Sequence, residues 1–122
     1  MKYTTVKIGN TKIKAEIADT SLKKIKGLMF RKNLPENEGM LFTFDKEDYH
    51  GIWMINMNFP IDIIWINKDK RVVDLAKNIR PSRLNFSTHK PKEKVFYVLE
   101  VNANFIERHG VRSALILEFE LK

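Results

Sequence analysis

The passage from Gly51 to Ile66, GIWMINMNFPIDIIWI, is the most apolar in the chain, and it holds a single ionisable residue, Asp62. Its second half is apolar at successive positions rather than alternate ones, so an extended strand there needs cover on both faces and belongs in the middle of a sheet. A carboxyl group in such surroundings has to be hydrogen bonded, paired with a cation or held neutral. The passage is too short to span a bilayer, and Asn56, Asn58, Pro60 and Asp62 would all have to enter hydrocarbon. It is therefore expected to form the heart of a water-surrounded core. With 122 residues the chain is expected to make one domain over 1–122, large enough for one core without disulfides.

The neighbours of that central strand can be read from alternation. Residues 3–8 and 12–18 alternate polar with apolar (Val6, Ile8; Ile13, Ala15, Ile17) around Gly9-Asn10, a hairpin turn signal. Asp19-Thr20-Ser21 offers N-cap oxygens to a short helix with apolar positions at Leu22, Ile25 and Leu28 or Met29, ending near Gly27. Met40, Phe42 and Phe44 alternate as a strand that the acidic tract at 45–48 should end. Strands are expected at 51–55, at 61–67, through Val72, Val73, Leu75 and Ala76, and at 94–101, with a turn at 67–70 and a polar surface loop over 81–94. Residues 102–109 read as a short helix stopped by Gly110, and Leu115, Leu117, Phe119 and Leu121 as the inward positions of a last strand. The fold class is mainly β: an antiparallel β-sandwich or partly closed barrel with one or two short helices.

Several of these features stand in an order that resembles one family. Gly27-Leu28-Met29 with Arg31, Gly39-Met40-Leu41-Phe42 with Phe44, Trp53-Met54 with Asn56, Pro60-Ile61-Asp62-Ile63-Ile64 and Tyr97-Val98-Leu99-Glu100-Val101 are similar in order and spacing to the DUF192, or UPF0127, family. The resemblance runs from about Ala15 to the C-terminus. It implies a small β-rich domain and no established biochemical activity. Two departures stand out: Asn104 where the family usually has Gly, and Arg112-Ser113-Ala114 where it has a Gly-Asp pair before the last strand.

The polar residues inside the matching motifs are Arg31, Asn56, Asp62 and Glu100, with His50 and Trp53 close by in sequence; these six are the candidate ligand-binding residues. In a structural role, Asp62 and Glu100 would accept hydrogen bonds from Arg31, from Asn56 or from backbone N–H groups at a helix start. In a functional role they would face a cleft lined by Trp53, Met54 and Phe59. Binding of a small saccharide or peptide without catalysis is the first expectation. A hydrolase using Asp62 and Glu100 as an acid/base pair is the alternative.

A third reading, nucleic-acid binding, follows from the net charge of +7 and from the basic runs at 68–71 and 89–94, which lack interleaved aromatics apart from Phe86. There is no Cys, no paired His spacing, no nucleophile elbow and no phosphate-binding Gly loop, so no metal and no cofactor is expected. The opening MKYTTVKIGN has no apolar segment of signal-peptide type, and a cytoplasmic location is expected.

Overall fold

The computed structural model describes residues 2–82 and 88–121. Its strands are β1 (Tyr3–Ile8), β2 (Thr11–Ala18), β3 (Glu38–Asp48), β4 (Ile61–Ile66), β5 (Val72–Ile79) and β6 (Val95–Asn102), with helices α1 (Ser21–Lys26) and α2 (Phe105–His109). They form one six-stranded sheet in the order β1-β2-β3-β6-β4-β5. The Gly9-Asn10 turn closes β1 onto β2 as expected, with Gly9 at φ 59°. One pairing departs from an all-antiparallel sheet: β2 and β3 run parallel, because the long connection through α1 brings the chain back in the same direction.

β4 pairs with β6 on one side and β5 on the other, and all six of its residues are buried. The sheet is covered twice, as the apolar run requires. On one face Leu41, Ile64, Leu99 and Val101 pack with Phe105 and Ile106 of α2 and with Leu117 and Phe119 of the C-terminal segment. On the other, Met40, Phe42, Ile61, Ile63, Trp65 and Val98 pack beneath Leu28, Leu34, Ile52, Met54 and Met57.

Four local expectations are corrected. Residues 51–55 cover the sheet without forming a strand. They make only isolated bridges, Ile52 with His89 and Ile55 with Ser82, because the strands beneath them already have in-sheet partners. The acidic tract does not end β3, which runs on to Asp48 through an irregularity between Thr43 and Asp48. The side chains of Leu22 and Ile25 point away from the core and are 76% and 59% exposed; after a capped turn and a half, it is Leu28 in the following loop that reaches the sheet. The last strand is reduced to bridges of Glu118 with Lys7 and Ile116 with Arg71. Leu117 and Phe119 are buried, but Leu121 is 39% exposed.

That C-terminal segment spans from the start of β5 to β1, the two edges of the sheet, without completing a barrel. Cations of the 68–71 run hold it: Lys70 donates to the Phe119 carbonyl at 2.6 Å and Arg71 to the Ala114 carbonyl at 3.1 Å. The two departures from the family pattern have a backbone explanation. Asn104, at φ 75°, is the N-cap residue of α2, a left-handed position that Asn tolerates. Ala114 also sits at φ 75°, where a Cβ is unfavourable. Ala114→Gly is expected to stabilise the protein by up to about 1 kcal/mol, the αL strain relieved less the entropy a glycine adds to the unfolded chain, read as a raised Tm.

Candidate functional site

The pairing of β3 with β6 decides which side chains share a face. Met40 lies opposite Glu100 and Phe42 opposite Val98, so all four project toward the side covered by α1 and residues 51–59. Gly39 permits this close approach, since a Cβ there would fall 2.6 Å from the carbonyl oxygen of Glu100. Gly27, at φ 49°, turns the chain at the end of α1 and lies against the Phe42 ring.

Between α1, β3 and the 51–53 segment is a pocket of about 230 Å³. Its walls are mostly apolar, including Ile25, Leu28, Met29, Phe42, Phe44 and Trp53, with Lys24 and Lys26 also contributing and Glu100 the acid among the lining residues.

Glu100 is 4% exposed, and its Oε1 has no hydrogen-bond partner among the described residues. The nearby cation, Arg31, is committed elsewhere: its Nη2 donates to both carboxylate oxygens of Glu16, at 2.9 and 3.1 Å. Burial pushes the Glu100 carboxyl up to about 8, while the positive charge of Arg31 opposes the shift without cancelling it. Near neutral pH this side chain is therefore an uncharged acid, able both to donate and to accept a hydrogen bond.

Asp62 answers to the opposite set of constraints. It is fully buried, and its Oδ1 and Oδ2 accept hydrogen bonds from the backbone N–H groups of Asn78 and Ile106, each at 2.8 Å. One bond fastens a bulge in β5, where the register slips between Ile61 and Ile63 and Asn78 takes φ 51°. The other satisfies a free donor in the first turn of α2. Asp62 lies opposite Val101 and Ile63 opposite Glu100, so the two acids point to opposite faces of the sheet. The acid/base pair is corrected on that ground, since no substrate could touch both carboxyl groups.

Of the other candidates, Trp53 stands in the pocket wall and is 38% exposed. His50 is one step removed: its ring stacks on Phe44 at 3.6 Å, Nε2 donates to the Lys46 carbonyl, and its own carbonyl accepts from Trp65 Nε1. Asn56 is an exposed turn residue at φ 58° whose carbonyl accepts from Phe30 N–H. The structure thus brings Trp53 and Glu100 to one pocket, keeps Arg31 near enough for its charge to act on Glu100, sets His50 behind one wall, and leaves Asn56 and Asp62 out. Sequence reasoning missed Glu16, Lys24, Phe42 and Phe44 as parts of this site. The alternation at 40–44 is the signal that puts Phe42 and Phe44 on one face. Phe86, noted for the basic run at 89–94, lies outside the described residues.

The model of the family DUF192, "Uncharacterized ACR", matches residues 4–119. The chain belongs to the DUF192 family. UPF0127 proteins of Thermococcus gammatolerans and Pyrococcus furiosus are 32% and 31% identical to it, over 87% and 88% of this chain. The matched regions are 66% of the T. gammatolerans protein and 88% of the P. furiosus one; a third, from Thermococcus kodakarensis, is 36% identical over 71% of this chain and 52% of its own length. The chain thus spans about two thirds and about half of the two Thermococcus relatives. Among solved structures, one from Sinorhizobium meliloti, whose description proposes a transcription regulator, superposes with a TM-score of 0.86 at 28% identity, covering 96% of this chain and 92% of that one. A protein of unknown function from Novosphingobium aromaticivorans gives 0.85 at 33% identity, covering 95% and 83%. The fold is therefore shared over nearly all of this chain and over 92% and 83% of the two solved ones. Among the described residues of this DUF192 domain, no helix is long and apolar enough to cross a membrane.

Proposed function

We propose that this domain is a non-catalytic binding module whose pocket over Glu100 takes a small, largely apolar ligand or one apolar side chain of a peptide. The observation that carries this reading is the buried Glu100 carboxyl, with Oε1 unpartnered among the described residues, at a largely apolar concavity. Burying such a group without a partner costs stability, and a bound ligand would supply the partner. The volume of about 230 Å³ falls below the roughly 300–1,000 Å³ usual for drug-sized ligands, which points to a fragment or single side chain. A saccharide fits less well, because its hydroxyl groups would need several polar partners where the walls offer mainly aromatic and aliphatic carbon.

The test is titration of isotopically labelled protein with phenol, followed by NMR. Resonances of Trp53, Phe44 and Glu100 are expected to shift together and saturably, while those around Asp62 stay in place. A titration that moves none of the three rejects the pocket.

The net charge of +7 and the description of the S. meliloti structure favour a second reading, nucleic-acid binding. Two of the cations in the 68–71 run already hold the C-terminal segment, which weakens it. An affinity for duplex DNA that is negligible, or that does not fall as salt rises, removes it.

A further inference from the structure

The pocket reading leaves the chemical class of its ligand open, and three observations narrow it. Two of the cations near Glu100 are engaged: Arg31 by Glu16, and Lys24 by the Thr43 carbonyl at 2.8 Å with its Nζ also 4.6 Å from the centre of the Phe44 ring. The carboxyl itself is enclosed, with Oε1 unpartnered. Apart from Glu100, the charged lining residues are Lys24 and Lys26, both positive. Resting on the binding reading above, we propose that the pocket selects a neutral primary carboxamide on an apolar body, with the Glu100 carboxyl reading the amide.

The chemistry follows from donor and acceptor counts. A neutral carboxylic acid presents an O–H donor and a C=O acceptor side by side. A primary carboxamide presents an N–H donor and a C=O acceptor with the same divergence, so the two groups pair through two hydrogen bonds. A trans peptide unit points its N–H and C=O in opposite directions and can make one of these bonds at most. A carboxylate ligand would bring a full charge into a largely apolar site where, of the two lysines, Lys24 is already hydrogen bonded. An ammonium ligand would have to pass Lys24 and Lys26 and settle near Arg31.

Among the described residues, the charged or titratable groups around this site are Lys24 and Lys26 from α1, Arg31 from the loop after it, Glu16 from β2 through Arg31, Lys90 packed against Gly51, and His50 stacked on the far side of Phe44. Phe42, Phe44, Ile52, Trp53 and Thr88 around them carry no charge. The pH dependence of amide binding should therefore follow Glu100: once it ionises, its donor is lost and the ligand carbonyl faces an anion.

The experiment measures the affinities of benzamide, benzoate, benzylamine and toluene by ligand-observed NMR at about pH 6.5 and about pH 9.5, on either side of the Glu100 value of about 8. At the lower pH benzamide is expected to bind about tenfold more tightly than the other three, and this preference should vanish at the higher pH. Glu100→Gln, whose amide can also pair with benzamide, is expected to keep the preference at both pH values. Glu100→Met should lose it while still binding toluene. Equal affinities for all four probes overturn the selectivity and leave the pocket standing. A preference for benzoate or benzylamine overturns it in favour of a charged ligand. If neither toluene nor benzamide binds, the pocket reading falls together with the selectivity.

Discussion

Asp62→Ala is expected to destabilise the protein by roughly 1.5–4.5 kcal/mol, because the buried Ile106 N–H loses its acceptor at about 1–3 kcal/mol and the part-buried bond from the Asn78 N–H, about 0.5–1.5 kcal/mol, is lost with it. Those groups belong to Asn78, at the bulge in β5, and Ile106, at the start of α2. The carboxylate is the staple between an edge strand and the helix that covers one face of the sheet, and at Ile106, 1% exposed, the N–H cannot turn to water instead. Asp62→Asn is the sharper variant. Its side chain keeps one acceptor oxygen but sets an NH₂ against the second N–H, so a loss of about 1–3 kcal/mol is expected. Urea denaturation near neutral pH measures both. Hydrogen exchange should also show faster exchange specifically at the Asn78 and Ile106 amides. An Asn variant as stable as the wild type would reject the structural role. Phenol binding is expected to persist in any Asp62 variant that folds, since the pocket opens on the other face.

The second large effect has the opposite sign. The Glu100 carboxyl is pushed from its ordinary value of 4.5 up to about 8 by burial. Below about pH 4.5 the folded and unfolded chains both hold this proton, and the group makes no pH-dependent contribution. Above it the unfolded chain releases the proton while the folded chain keeps it until about pH 8, so the stability of the wild type falls as pH rises through this window. At 1.36 kcal/mol per pH unit, the total is of the order of 4–5 kcal/mol. Glu100→Gln removes the ionisation. The variant is expected to be more stable than the wild type at about pH 8 by several kcal/mol, and the difference should shrink steadily toward about pH 4.5. Differencing the two proteins cancels the exposed carboxylates, such as Asp19 and Asp48, that both share. Parallel stability curves for the two would show that Glu100 is ionised and satisfied in the native state. A gain in stability on replacing Glu100 is what a residue retained for binding would show.

The two acids illustrate how far residue type can be read alone. Both stand in apolar strands and both carry the same chemical warning, yet one is hydrogen bonded twice and the other is not bonded at Oε1. Strand alternation establishes which residues of one strand share a face, but comparing faces between two strands requires their register. Pairing Ile63 with Glu100 puts the acids back to back; a one-residue slip would have put them side by side. A backbone N–H at a helix start was among the partners expected for these acids, and Ile106 is that partner for Asp62. Arg31 and Asn56 were expected too, but Arg31 pairs with Glu16, a residue distant in sequence and outside the motifs.

The exposed helix face has a related cause. Helical spacing correctly indicates that Leu22 and Ile25 lie together, but whether that shared face turns inward depends on how the crossover sits on the sheet. Here Gly27 reverses the chain so that Leu28 enters the core, while Ile25 borders the pocket.

Sequence by itself determined the local and the periodic. The hairpin at Gly9-Asn10, a cap for α1 within 19–21, the stop at Gly110, the doubly covered β4 and a mainly β fold follow from short-range sterics, capping and the period of the apolar pattern, while the DUF192 family follows from the order and spacing of its motifs. Tertiary structure decided the parallel β2–β3 pairing, the failure of residues 51–55 to form a strand and the spanning of both sheet edges by the C-terminal segment. It also decided the separation of Asp62 from Glu100 and the pocket at which Glu100 Oε1 has no partner among the described residues. These depend on which distant segments meet and in what register, and a carboxyl group becomes a staple or an unpaired acid only once those neighbours are in place.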